Sequence, residues 1–293
     1  MRSSLVNSLR ICFIAALGLS VVPSTFAQLV QFKALTSRMA DSIAQSKNRT
    51  AVVFDFASPD GTVGALGTEL ADEFSSALAG SGDRVQVEDR ARVKQKLEDE
   101  YLQPGNINDP GVALWLAGDL GAQVLVLGRL DHQANIVNLS VSSYRAKDGK
   151  EIAAFKVAIP LTQDMTALTS ETLAVESPDD FISPNGKCIS SGSPPCSITP
   201  GYSTPKCISC PAPAFSRDAV SRGAQGTVIL LAVIDVDGKA KNIRVMRALP
   251  YGLSLQAAQT IQKWRFQPAT GPDGVPAAVR QLIEVTFHFT DHS

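Results

Sequence analysis

The chain predicts an α/β (α+β) fold in two units, and three observations carry that prediction. Residues 49–162 alternate strand-like and helix-like stretches in the order βαβααβ and then close with a hairpin. Residues 163–214 lose every period and fill with serine, proline, glycine and threonine, and residues 215–290 return to order as ββαβ. At 293 residues, 44% of them hydrophobic, the chain has enough apolar material for two modest cores.

In the first unit, "AVVFDF" (Ala51 to Phe56) is a short apolar run suited to a strand buried on both faces. Leu66, Leu70, Phe74 and Leu78 follow at helical spacing. "RVQVEDR" gives a second strand, Ala91 to Leu102 a charged helix, Pro110 to Leu120 another, and "VLVLGRL" a third strand entered through Gly121. Ile136 to Ser142 alternates, "KDGK" (Lys147 to Lys150) turns the chain, and Glu151 to Ile159 returns, so the sheet is mixed. The strip that follows reads as a linker, spanning about 35 Å as a flexible coil and about 120 Å fully extended, so the units could work apart unless cysteines pin it.

In the second unit, "GTVILLAVIDVDGKAKNIRVMRAL" reads as two strands turning through Asp237 and Gly238, which tolerate left-handed backbone. A short helix over Ser216 to Arg222 precedes them. Leu255, Ala258, Ile261 and Trp264 share one helical face, and Gln281 to Phe289 alternates as a closing strand with Leu282, Val285 and Phe287 as its inward set. Trp264 and Phe266 plug the core, while Pro268 stops the helix before "GPDG" reverses the path.

The amino terminus has a charged stretch (MRSSLVNSLR), an apolar run (ICFIAALGLSVV) and a small-residue cleavage signal ending at Ala27, which together predict an exported chain with residues 1–27 removed. The alternative is an inner-membrane anchor formed by residues 11–22, but that run falls short of the roughly 20 residues of a spanning helix. Cys12 makes a poor lipoprotein site, because Arg10 lies close before it and the apolar run follows it. Cys188, Cys196, Cys207 and Cys210 remain, an even number that in an exported protein favours two disulfides, with three connectivities open.

Charge and motif exclude several functions. Lys and Arg total 27 against 28 Asp and Glu, with no basic stripe, so no nucleic-acid partner is expected. Gly61, Gly64 and Gly67 lie between a strand and a helix, but G-x-x-G-x-x-G lacks dinucleotide spacing, so they mark a loop and helix start. His288, Asp291 and His292 sit in a fraying terminus, His132 has no triad neighbours, and Glu98, Asp99 and Glu100 read as a solvated helix face. No enzyme, catalytic residue, metal or cofactor is predicted.

The hairpin, the "LSLQAAQTIQKWRFQPA" helix and the final strand together resemble the carboxy-terminal domain of TonB-family proteins. The matched positions are Gly226, Val228, Asp237, Gly238, Val245, Leu255, Ala257, Ala258, Trp264, Phe266, Pro268, Pro276, Val285 and Phe287. The resemblance implies a small domain that contacts the plug and amino-terminal box of outer-membrane transporters by strand addition. The candidate edge strand is Arg280, Gln281, Leu282, Ile283, Glu284, Val285, Thr286, Phe287 and His288. Two departures stand out: Phe215 and Ser216 occupy the place of a common Tyr-Pro pair, and no histidine occurs between Ile11 and Val22 to engage an inner-membrane motor. Residues 49–162 resemble, through "AVVFDF", "GTELADEFSSAL", "VEDRARVKQKLEDE" and "LAGDLGAQVLVLGRL", the α/β domain of envelope-assembly proteins of the CsgG and FlgO kind and the amino-terminal part of TolB. That implies a periplasmic scaffold. The expected function is a periplasmic protein that binds an outer-membrane receptor or another envelope protein, in energy-dependent transport, with a cell-envelope scaffold or assembly factor without energy transduction, joining copies of itself or envelope components, as the alternative.

Overall fold

The computed structural model describes residues 24–133, 135–170 and 202–289. The first unit comprises α1 (Ser24–Gln45), β1 (Thr50–Val53), α2 (Ala65–Ala79), β2 (Gln86–Val87), α3 (Arg90–Asp99), a 3-10 turn (Pro104–Asn108), α4 (Pro110–Asp119), β3 (Val124–Gln133), β4 (Ile136–Arg145), β5 (Glu151–Pro160) and α5 (Gln163–Ser170). Its sheet runs β2-β1-β3-β4-β5, with β2, β1 and β3 parallel and the rest antiparallel.

Period-two alternation sends the two faces of this sheet to different cores. Ala51, Val53, Val124, Val126 and Val141 face α1 and α2, where Phe32, Met39, Phe74 and Leu78 are buried. Val52, Phe54 and Leu125 face α3 and α4, where Leu97, Val112 and Leu116 are buried. Asp89 and Asp109 start those two helices by accepting from the Ala91 and Gly111 amides at 2.6 and 2.8 Å. Gly67 is fixed by packing, since a β-carbon there would lie 2.0 Å from the Phe56 carbonyl oxygen, and Phe56 N–H donates to the Gly67 carbonyl. Thus Gly67 lets α2 lie directly against the stretch that follows β1.

Arg90 fastens three elements. Its guanidinium donates to Asp72 at 2.6 Å, to the Val53 carbonyl at 2.7 Å and to buried Asp55. Burial raises the Asp72 pKa, but the bonds from Arg90 and Lys94 outweigh it and hold the carboxyl below 3.8.

Two expectations are corrected here. The first unit does not begin near Arg49: Phe32, Leu35, Met39, Ala40 and Ile43 form a buried stripe on α1. That helix crosses the Ala27–Gln28 junction, and its described buried face starts at Phe32. Glu98 and Asp99 are exposed but Glu100 is buried, where Lys96 pairs with it at 2.9 Å and with Asp119 at 2.6 Å. Burial depresses the Lys96 pKa, and these two carboxylates more than reverse that.

The second unit comprises β6 (Lys206–Ser209), α6 (Arg217–Arg222), β7 (Gly226–Ile234), β8 (Ala240–Arg247), α7 (Leu253–Lys263), β9 (Arg265–Gln267), β10 (Ala269–Thr270), β11 (Pro276–Ala277) and β12 (Val279–Phe287). A three-stranded antiparallel sheet, β12-β7-β8, packs one face on α7 through Val228, Leu230, Val245, Val285 and Ile261. The buried face of α7 is Leu253, Ser254, Ala257, Ala258 and Ile261. Leu255 is only half-buried, and Trp264 is the residue that caps the helix end.

The units do not stand apart. One buried core runs from α4 into the second sheet. The Trp115 and Tyr251 rings meet edge-on at 6.5 Å, Gln262 Nε2 donates to the Tyr101 hydroxyl at 2.8 Å, and Asn106 Nδ2 donates to the Met246 carbonyl at 3.4 Å. The expected linker is also partly structured: α5 packs Met165 and Leu168 onto the first core, and β6 pairs antiparallel with β9. Cys207 and Cys210 form a disulfide with Cα atoms 6.1 Å apart, whereas Cys188 and Cys196 lie outside the described residues.

Candidate functional site

β12 is an edge strand. Its nine residues pair without a break with β7, from Val279 opposite Ile234 to Phe287 opposite Gly226, and among the described residues no strand pairs with its other side. The opposite rim of the sheet, β8, has the 3-10 turn against it, with Asn106 bonded to the Met246 carbonyl. The two rims therefore differ: one meets the first unit, while the other has no strand beside it among the described residues.

Side chains alternate along β12. Val279, Ile283, Val285 and Phe287 are buried, while Arg280 and Leu282 are half-buried and Glu284 and Thr286 exposed on the other face. The inward set is thus led by Ile283, and Leu282 faces outward: counting back by twos from Phe287 reaches 285 and 283 and never 282. Gln281 is half-buried, and His288 is exposed just past the strand end. Asp291 and His292 lie outside the described residues. Among the described residues no group of three His, Cys, Asp or Glu side chains could hold a metal.

Both ends of the strand system are pinned. Phe215 packs edge-on to Phe287 at 5.3 Å and stacks on Phe289 at 4.5 Å, and Phe289 N–H donates to Gln225 Oε1 at 2.9 Å. The Thr227 and Thr286 hydroxyls meet across the strands at 3.0 Å. Ser216 caps α6 by accepting from the Ala219 amide at 3.1 Å, and its hydroxyl donates to the Tyr251 carbonyl. The aromatic clasp of Phe215, Phe287 and Phe289 was not anticipated, since only tertiary packing brings residue 215 to the end of β12.

The β7–β8 turn is tied to the stretch after α7. Gly238 has φ of 73°, its amide donates to the Asp235 carbonyl, and its own carbonyl accepts from Phe266 N–H at 2.9 Å. A β-carbon on Gly238 would sit 2.0 Å from the Phe266 carbonyl oxygen. Asp237 accepts from Lys239 N–H at 3.2 Å, completing the turn. The hydrogen bond from Lys241 leads in holding the Asp235 pKa below 3.8, with the Val236 amide helping. Phe266 is buried, Trp264 lies 6.0 Å from it and donates from Nε1 to the Pro211 carbonyl at 2.9 Å, and Pro268 is half-buried between β9 and β10.

This geometry can be set beside known proteins. Residues 211–290 match the family model for the carboxy terminus of the Gram-negative bacterial TonB protein. This segment is a TonB-family C-terminal domain. A curated relative, protein TonB of Yersinia enterocolitica, is 31% identical over 118 residues, which are 37% of this chain and 46% of the relative, so the chain spans less than half of that protein. Among solved structures, the TonB C-terminal domain of Pseudomonas aeruginosa is 26% identical, covering 30% of this chain and 90% of its own at a TM-score of 0.26. The LpoB C-terminal domain of Escherichia coli is 16% identical, covering 44% of this chain and 97% of its own at a TM-score of 0.36. Among the described residues, no helix of the chain carrying this TonB-like domain is long and apolar enough to cross a membrane, and residues 11–22 lie outside them.

Proposed function

We propose that this chain is a periplasmic adaptor whose TonB-like domain binds an extended segment of an outer-membrane transporter, or of another envelope protein, as a fourth strand along β12. The observation that carries this reading is the asymmetry of the sheet: β8 abuts the first unit, while β12 pairs on one side only among the described residues. Main-chain hydrogen bonds would supply affinity, and outward side chains such as Leu282 and Glu284 would select the partner sequence. The first unit serves as the envelope-side scaffold that holds this domain in one orientation through Trp115, Tyr101 and Asn106. Participation in energy-dependent transport is the further extent of the same proposal, and it requires the amino-terminal segment to remain membrane-attached.

The test is site-specific photo-crosslinking of the full chain, with a photoreactive residue at Glu284 or Thr286 on β12 or at Asn242 on β8, in the presence of transporter amino-terminal box peptides. The reading expects crosslinks from β12 positions and none from Asn242. Crosslinks from β12 to a second copy of the chain alone would replace it with the self-associating scaffold, and crosslinks confined to β8 would overturn it.

A further inference from the structure

A recess lies on the first unit, far in sequence from the TonB-like domain and independent of the reading above. α4 covers only part of its side of the five-stranded sheet and leaves a recess of about 350 Å³ over β3 and β4. Cross-strand register builds this recess in rows. Leu125 lies opposite Tyr144, Leu127 opposite Ser142, and Arg129 opposite Ser140, while Ser140 in turn lies opposite Lys156 of β5. Leu114 and Ala113 of α4 close the apolar end.

The chemistry changes along these rows. The end under α4 is aliphatic and aromatic, and the recess then opens past Ser142 to Arg129 and Ser140, which also line a neighbouring groove that includes Lys156. Strand spacing of about 4.8 Å puts the Arg129 and Lys156 backbones roughly 10 Å apart on either side of Ser140, close enough for two long side chains to converge on one group. Among the described residues neither the Arg129 guanidinium nor the Lys156 ammonium has a hydrogen-bond or ion-pair partner. Asp131 lines the same groove one row further along, where it accepts from Gln133 Nε2 at 3.1 Å.

We infer that this recess binds a single-chain amphiphile with a carboxylate head, a straight-chain fatty carboxylate, with its head on Arg129 and Lys156 and its chain beneath α4. The guanidinium fork matches a planar carboxylate through two parallel N–H bonds, and Ser140 supplies a hydroxyl donor between the cations. The volume falls at the small end of ligand pockets, and an apolar interior with a few convergent polar groups at its mouth is how such pockets orient an amphiphile.

The experiment is calorimetric titration of the full chain with sodium decanoate below its micelle concentration, beside decanol and decyltrimethylammonium. The parent is expected to bind decanoate and to bind the neutral and cationic analogues at least about tenfold more weakly. Arg129→Gln is expected to weaken decanoate about tenfold, and Ser142→Leu, which fills the recess, to abolish binding with the melting temperature kept. Equal binding of decanoate and decanol, or unchanged decanoate binding by Arg129→Gln, would overturn the assignment. Should Ser142→Leu fail to fold, the Arg129→Gln and decanol measurements decide alone.

Discussion

Replacing Gly238 by alanine tests how the strand hairpin is locked to the segment after α7. The substitution carries two costs. An L-residue held at φ of 73° costs about 1–2 kcal/mol. The new β-carbon would also sit 2.0 Å from the Phe266 carbonyl oxygen, where at least 3.0 Å is needed, so the turn and β9 must part by about 1 Å and the bond from Phe266 N–H to the Gly238 carbonyl is lost. That bond is worth about 1 kcal/mol, and with the conformational cost the total is roughly 3 kcal/mol. For a cooperative unit of this size, it lowers Tm by about 6–12 °C. Gly274→Ala is the matched control: its φ is 77°, yet no atom lies within 4 Å of the new β-carbon, so it bears the conformational cost alone. Thermal melts followed by circular dichroism should therefore rank the parent above Gly274→Ala and Gly274→Ala above Gly238→Ala. Equal melting temperatures for the two variants would refute the argued contact between the turn and β9.

Arg90→Ala should destabilise the chain by about 3–5 kcal/mol in urea unfolding, because it strands buried Asp55 without its partner. Asp72 and Asp235 have folded pKa values below 3.8, so the unfolded chain takes up their protons first as pH falls. Their contribution is complete above about pH 4 and is lost below it, and Asp72→Asn should flatten the fall in urea midpoint measured between pH 5 and pH 3. Trp115→Ala removes the ring that meets Tyr251 between the two units and should split one calorimetric transition into two.

What the sequence disclosed followed from how local each signal is. β7, β8 and α7 were legible because their apolar periods are long and the Asp237–Gly238 turn lies within a few residues of both strands. β12 was legible as a strand, but Leu282 and Ile283 are adjacent and both apolar, so only strict alternation from Phe287 decides which turns inward. The α1 stripe was equally periodic, yet it begins just after a cleavage signal, where a chain reads as leader and spacer. Glu100 looked solvated because charged neighbours flank it; Lys96 reaches it from one turn back along the chain, but only the fold buries that pair and brings Asp119 of α4 to the same ammonium. The β6–β9 pairing, the aromatic clasp and the contact between units join residues 50 or more positions apart, and no local pattern announces them.

The unbroken nine-residue pairing of β12 with β7 has a mechanical corollary. A filament seated alongside β12 would overlap it for roughly 30 Å. Tension applied lengthwise would then load every rung at the same moment, in shear, whereas tension applied sideways would unzip the rungs one after another. Grip would depend on the direction of pull more than on the area covered.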